Sequence, residues 1–95
     1  MKVRKSKDIQ SVLLKKGFQL SKQQDSHYFY HLSIDGKKQS IFTFFSHAKK
    51  EYDKNLMGQI KKQLKFKETQ KAEDFFDCTL DGKQYVEMLR ENKDL

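Results

Sequence analysis

His27-Tyr28-Phe29-Tyr30-His31-Leu32-Ser33-Ile34-Asp35-Gly36-Lys37-Lys38-Gln39-Ser40-Ile41-Phe42-Thr43-Phe44-Phe45-Ser46 reads as a β-hairpin at the centre of the chain. Two runs rich in aromatic and β-branched residues flank Asp35-Gly36, the pair preferred in a tight hairpin turn. The pattern predicts strands over residues 27–33 and 38–46. With a two-residue turn, Ile34 faces Lys37, Phe29 faces Phe42 and His27 faces Phe44. Side chains alternate along strands, so one face collects His27, Phe29, Phe42 and Phe44, and the other Tyr28, Tyr30, Ile41 and Thr43. The first set is the expected core face. On this register His27 ends an aromatic cluster, partly shielded, and His31 lies opposite Ser40 as a surface residue.

Upstream, Ile9, Val12, Leu13 and Lys16 recur at helical spacing, which predicts a helix over residues 7–16 with Ser6 as its cap and Gly17 as its left-handed end. A short strand over 18–22 and a turn at 23–25 lead into the hairpin. Downstream, Asp53 is placed to cap a helix over 54–64, with Leu56, Met57, Ile60 and Leu64 inward and Lys54, Lys61, Lys62 and Lys65 largely outward. Two weaker helical stretches follow, 71–76 and 83–92. Asp81 and Gln84 stand in capping-box positions ahead of the second, and Tyr85, Met88 and Leu89 are placed to pack back on the body. The order α-β-β-β-α plus a helical extension predicts an α+β, two-layer fold.

A chain of 95 residues has room for one core. Its net charge of +7 is unevenly spread. Residues 1–67 hold 16 Lys/Arg against 5 Asp/Glu, a net +11, whereas residues 68–95 hold 4 against 8, a net −4. A basic body attracts phosphate backbones through counterion release. An acidic tail has the charge to dock on that surface and compete with a ligand, and deleting residues 68–95 is then expected to tighten RNA binding. Arg4 and Arg90 are the only arginines, which favours diffuse phosphate attraction over bidentate reading of bases. Cys78 is the only cysteine, so no intrachain disulfide or cysteine zinc cluster forms; it reads as a small apolar filler. A reducing cytoplasm is the expected setting. No stretch approaches the roughly 20 apolar residues that span a bilayer, so no membrane association is expected.

Three strings carry a resemblance: K-S-K-D-I-Q-S-V-L-L-K-K-G-F at residues 5–18, D-S-H-Y-F-Y at 25–30 and S-H-A-K-K-E at 46–51. In this order they resemble the HicA family, the small mRNA-interferase toxins of HicA/HicB toxin–antitoxin pairs, with a double-stranded-RNA-binding-domain-like fold. The resemblance implies a HicA-like domain over residues 1–66, with 67–95 an acidic helical tail on the same domain. It also implies a metal-independent endoribonuclease acting on mRNA, no cofactor, and a HicB-like antitoxin as partner. The family's central histidine, at the start of the second strand of the sheet, matches His27. The string D-F-F-D-C-T-L-D-G-K-Q-Y at 74–85 is similar to tails of a longer HicA-like branch. Asp25 stands where many HicA-like chains have Gly, and Tyr28 where a second histidine often follows.

An imidazole titrates near neutral pH and can take the proton from a ribose 2′-hydroxyl. Lys22, Lys49 and Lys50 are candidates to stabilise charge on the phosphate, by their proximity in sequence to His27 and to the end of the hairpin. Lys54, Lys61, Lys62 and Lys65 are candidates to hold RNA phosphates, since basic helices of such folds contact phosphates across a groove. His47 is a possible second acid, and Tyr28, with Tyr30, a possible stacking group. The three histidines sit at offsets that do not converge and lack carboxylates at ligand spacing, so no metal site is expected. Two other functions fit the same residues. One is a non-catalytic RNA-binding module of this fold, and the other a partner-binding protein using the tail. The oligomeric state is not fixed by the sequence.

Overall fold

The computed structural model describes residues 1–25, 27–46 and 48–95. Helix α1 (Ser6–Lys15) is followed by three strands, β2 (Phe18–Gln24), β3 (His27–Ile34) and β4 (Lys37–Ser46), which form an antiparallel sheet in the order β2-β3-β4. Helices α2 (Lys54–Gln63), α3 (Thr69–Phe76) and α4 (Gly82–Glu91) complete the second layer. This is the expected α+β architecture, a double-stranded-RNA-binding-domain-like α-β-β-β-α order with C-terminal helices. A small antiparallel pair absent from the sequence reading, β1 (Arg4–Lys5) with β5 (Glu51–Tyr52), ties the chain start to the segment before α2.

The turn chemistry behaves as its residues dictate. Asp35 and Gly36 both have positive φ, 52° and 79°, the pattern of a type I′ hairpin. Gly17, at φ 96°, ends α1 as expected, and its carbonyl accepts from Ser33 N–H at 2.9 Å. Asp53 caps α2 by accepting from Leu56 N–H at 2.9 Å, and the Asp81/Gln84 capping box opens α4. Ser6 departs from its expected role. Lys5 is the N-cap residue of α1 and makes no side-chain cap, while Ser6 is buried and donates its N–H to Lys50 O at 2.9 Å.

The hairpin starts in the expected register, Ile34 opposite Lys37, but the ladder shifts between Ser33 and His31. Beyond that irregularity His31 faces Phe42, Phe29 faces Phe44 and His27 faces Ser46. The expected pairs Phe29–Phe42 and His27–Phe44 are therefore corrected by two residues. A shift of two preserves the alternation, so the face membership survives. The assignment of faces does not. Tyr30, Leu32, Ile41, Thr43 and Phe45 are buried, whereas Phe42 and Phe44 are each 38% exposed. The face expected to be the core is turned to solvent.

Helix α1 supplies Ile9, Val12 and Leu13 to the buried side, α2 supplies Met57 and Ile60, and Leu64 and Phe66 follow. The tail completes the same cluster with Ala72, Phe75, Phe76, Tyr85, Met88 and Leu89. Phe75 and Tyr85 lie 5.0 Å apart between ring centroids, and each meets Phe18 and Phe66. The Tyr85 hydroxyl donates to Leu64 O at 2.8 Å, and burial pushes its phenol pKa far up. Burying each large side chain is worth about 1.5–3 kcal/mol, so the tail is held by its apolar residues. Two of its carboxylates also form ion pairs with the start of the chain. Glu73 and Asp77 pair with Arg4 at 2.9 and 3.0 Å, and Asp77 also with Lys2 at 3.3 Å. The Arg4 hydrogen bond leads the effects that hold the Asp77 carboxyl below its ordinary pKa. Lys16, one member of the apolar stripe, is buried; its Nζ donates to Leu80 O and lies 5.6 Å from the Phe75 ring centroid. Cys78 is exposed, so it is not the core filler expected of it.

Candidate functional site

The outer face of the sheet carries a row of rings. Phe29 stacks on Phe44 at 5.0 Å and His31 on Phe42 at 5.1 Å. Phe42 and Phe44 lie 6.5 Å apart, and His27 lies 6.2 Å from Phe44. These distances fall in the range of favourable aromatic pairing. Phenylalanines of this size are normally buried, so an exposed set of them on a basic body is the least ordinary surface of the molecule.

The residue between Leu20 and Lys22 creates the polar border of this row. Leu20 faces Tyr30 and Lys22 faces Phe29, leaving Ser21 without an opposite residue on β3. That bulge reverses the alternation, so Lys22 falls on the outer face, where its Nζ lies 5.6 Å from the Phe29 ring centroid. Ser21 Oγ hydrogen-bonds His31 Nδ1 and donates to Phe29 O at 3.3 Å. Burial, with a smaller effect from the Lys38 ammonium, pushes the His31 imidazole below its ordinary pKa of 6.5.

His27 stands at one end of the row, exposed, between Gln24 of β2 and Ser46 of β4. It lines two concavities. One, of about 300 Å³, is formed with Gln24, Asp25, Phe29 and Phe44, a volume at the lower limit for small-molecule sites. The other, about 160 Å³, includes Phe45, Tyr52, Leu56, Gln59 and Gln63. Asp25 adopts φ 54°, the left-handed conformation that glycine takes most easily. It lines the larger of these two cavities.

The predicted lysines are dispersed around this centre. Lys22 alone among them makes a contact with the ring row. Lys49 and Lys50 are exposed between β4 and β5, and the Lys50 carbonyl anchors Ser6. Lys54 opens α2 and Lys62 is exposed near its end. Lys61 is half-buried and donates to Thr69 Oγ1 at 3.0 Å, which ties α2 to α3. Lys65 is exposed with φ 69° just past the helix. The side chains that α2 contributes to the smaller His27 cavity are Leu56, Gln59, Ile60 and Gln63. Sequence reasoning missed the two glutamines, which stand one residue before the inward Ile60 and Leu64. Tyr28 is half-buried on the core side and Tyr30 is fully buried, stacked on Phe45 at 5.4 Å. Burial removes Tyr30 as a stacking group, and the rings on the open face are Phe29, Phe42 and Phe44. His47 lies outside the described residues.

Among the described residues no group of three or more His, Cys, Asp or Glu is placed to hold a metal ion, and no helix is long and apolar enough to cross a membrane. The fold and site define a small basic α+β domain with an exposed histidine at the end of an open sheet face. A family model described as HicA toxin of bacterial toxin–antitoxin matches residues 6–66, well over half of the chain, so the chain belongs to the HicA toxin family. Membership suggests an antitoxin protein as partner. No curated protein and no solved structure matches the chain closely enough to stand as a relative.

Proposed function

We propose that this HicA family toxin is an endoribonuclease that cleaves mRNA without a metal ion, with His27 as general base. The observation that carries this reading is an exposed imidazole on the wall of a nucleotide-sized cavity within the segment matched by the toxin family. Neutral imidazole takes the proton of a ribose 2′-hydroxyl, and the oxygen attacks the adjacent phosphorus. The bond to the 5′-oxygen breaks, and that oxygen takes a proton from water. The products are a 2′,3′-cyclic phosphate and a 5′-hydroxyl. General base catalysis of this kind contributes about 10²–10⁴-fold. Lys22, Lys49 and Lys50 would offset the charge that grows on the phosphate oxygens, and Lys54, Lys61, Lys62 and Lys65 would hold the flanking backbone. An antitoxin that blocks access to His27 would silence the site.

Asp25 supports a second reading, a non-catalytic RNA-binding module, because this acidic residue lines the same cavity and a carboxylate repels phosphate. One experiment separates them. The pure protein and its His27→Ala variant are incubated with a long single-stranded RNA in the presence of chelator. Cleavage by the parent alone supports the ribonuclease. No cleavage by either, with salt-sensitive binding by both, selects the binding module. Equal cleavage by both removes His27 from the chemistry.

A further inference from the structure

We propose that the outer face of the sheet is a stacking platform for unpaired bases, with Phe42 and Phe44 as its two base-contacting rings. The inference rests on the RNA reading above and deepens it by naming the surface and the form of RNA it takes.

Three observations carry it. The rings form two stacked pairs, Phe29 with Phe44 and His31 with Phe42, each running across the sheet from β3 to β4. Among the described residues strand β4 is an edge of the sheet, and beyond it Phe44 borders the small cavity shared with Leu56, Gln59 and Gln63 of α2. Phe42 and Phe44 are each 38% exposed. Both rings therefore keep accessible surface on which a flat base extends the stack, and every base has a π-face, so such contacts tolerate sequence.

The spacing decides the form of the ligand. Phe42 and Phe44 lie 6.5 Å apart, about twice the 3.4 Å that separates successive bases along a stacked strand. Neighbouring bases seated on the two rings must part from each other, which a duplex does not allow and an unpaired strand does.

The charge decides between a nucleic acid and a protein occupant. Lys22 sits over the Phe29 ring and Lys38 is close enough to act on His31. Lysine is depleted from the cores of protein interfaces, whereas rings interleaved with cations are the composition of single-strand binding surfaces. Asp25 shares a cavity with His27, Phe29 and Phe44 but not with Phe42, so a strand that enters over Phe42 and runs toward His27 meets cations first.

The test is fluorescence anisotropy of the full chain with a labelled single-stranded oligoribonucleotide whose 2′-hydroxyls are methylated, so that cleavage does not interfere. A duplex of the same length serves as comparison. Phe42→Ala and Phe44→Ala are each expected to weaken single-strand binding about 5- to 100-fold and to leave duplex binding within about 2-fold of the parent. Phe44→Trp keeps the affinity and Phe44→Leu loses it, which separates stacking from loss of apolar surface; circular dichroism confirms that each variant folds. Unchanged single-strand affinity in both alanine variants, with binding still salt-sensitive, overturns the platform, leaves the rings to a protein partner and spares the RNA reading. Absence of binding to either RNA by the parent sinks the RNA reading itself, and the platform with it.

Discussion

The two faces of one three-stranded sheet both carry large aromatic side chains and have opposite fates. The inner face presents Tyr30, Leu32, Ile41, Thr43 and Phe45, all at most 1% exposed, and the helices and tail close over it. The outer face presents Phe29, Phe42 and Phe44 with His27 and His31, and stays open. The inner set mixes aliphatic, β-branched and aromatic shapes that interdigitate with helical side chains. The outer set is made only of flat rings that satisfy one another by stacking. Hydrophobicity alone does not say which face a protein buries; the shapes and the polar neighbours do.

The comparison is broken most forcefully by removing what covers the inner face. Deleting residues 68–95 strips Phe75, Phe76, Tyr85, Met88 and Leu89 from the core, and the truncated chain is expected to show no cooperative unfolding transition by circular dichroism. A well-folded truncation would mean that the tail is an accessory and that the body closes its own core.

Next in size is a matched pair across the sheet. Phe45→Ala on the inner face should cost about 3–5 kcal/mol, and Phe44→Ala on the outer face less than about 1.5 kcal/mol, since its ring is already partly solvated. Urea denaturation of both variants measures the contrast. Equal costs would erase the distinction between the faces.

Tyr85→Phe probes one polar link beneath the inner face. It leaves the Leu64 carbonyl without its buried donor and should lower stability by about 1–3 kcal/mol in the same assay.

The smallest effect belongs to the outer face and to pH. His31 has a lowered pKa in the folded chain, so near pH 6 the unfolded state binds more protons and stability rises with pH. This contribution is fully present above about 6.5 and is lost as pH falls through the lower folded value. His31→Gln should flatten the difference in thermal midpoint between pH 5 and pH 8. An unchanged slope would assign it to other groups.

Much of this molecule was legible in its residues. Asp35-Gly36, Gly17, Asp53 and the Asp81/Gln84 box mark turns and helix ends by local chemistry, and the structure uses each of them. The membership of the two sheet faces was legible too, because alternation survives a register shift of two. Their orientation was misread because four rings on one side outweighed the clue on β3 itself, where His27, His31 and Ser33 share a face and Tyr30 and Leu32 share the other. The bulge at Ser21, which turns Lys22 toward Phe29, leaves no mark in composition. The role of Ser6 was misread for a similar reason, since its partner Lys50 is distant in sequence and reaches it only through the β1–β5 pair.

The order of elements, their caps and turns, the basic body and the histidine that opens β3 follow from the residues alone, since these depend on neighbours within a few positions. Which sheet face is buried, and that Ala72, Phe75 and Phe76 join Tyr85, Met88 and Leu89 in the core, came from the tertiary arrangement. Those outcomes depend on which surfaces meet across the whole chain, and the shapes that fit best under the helices, more than the count of apolar residues, settle them.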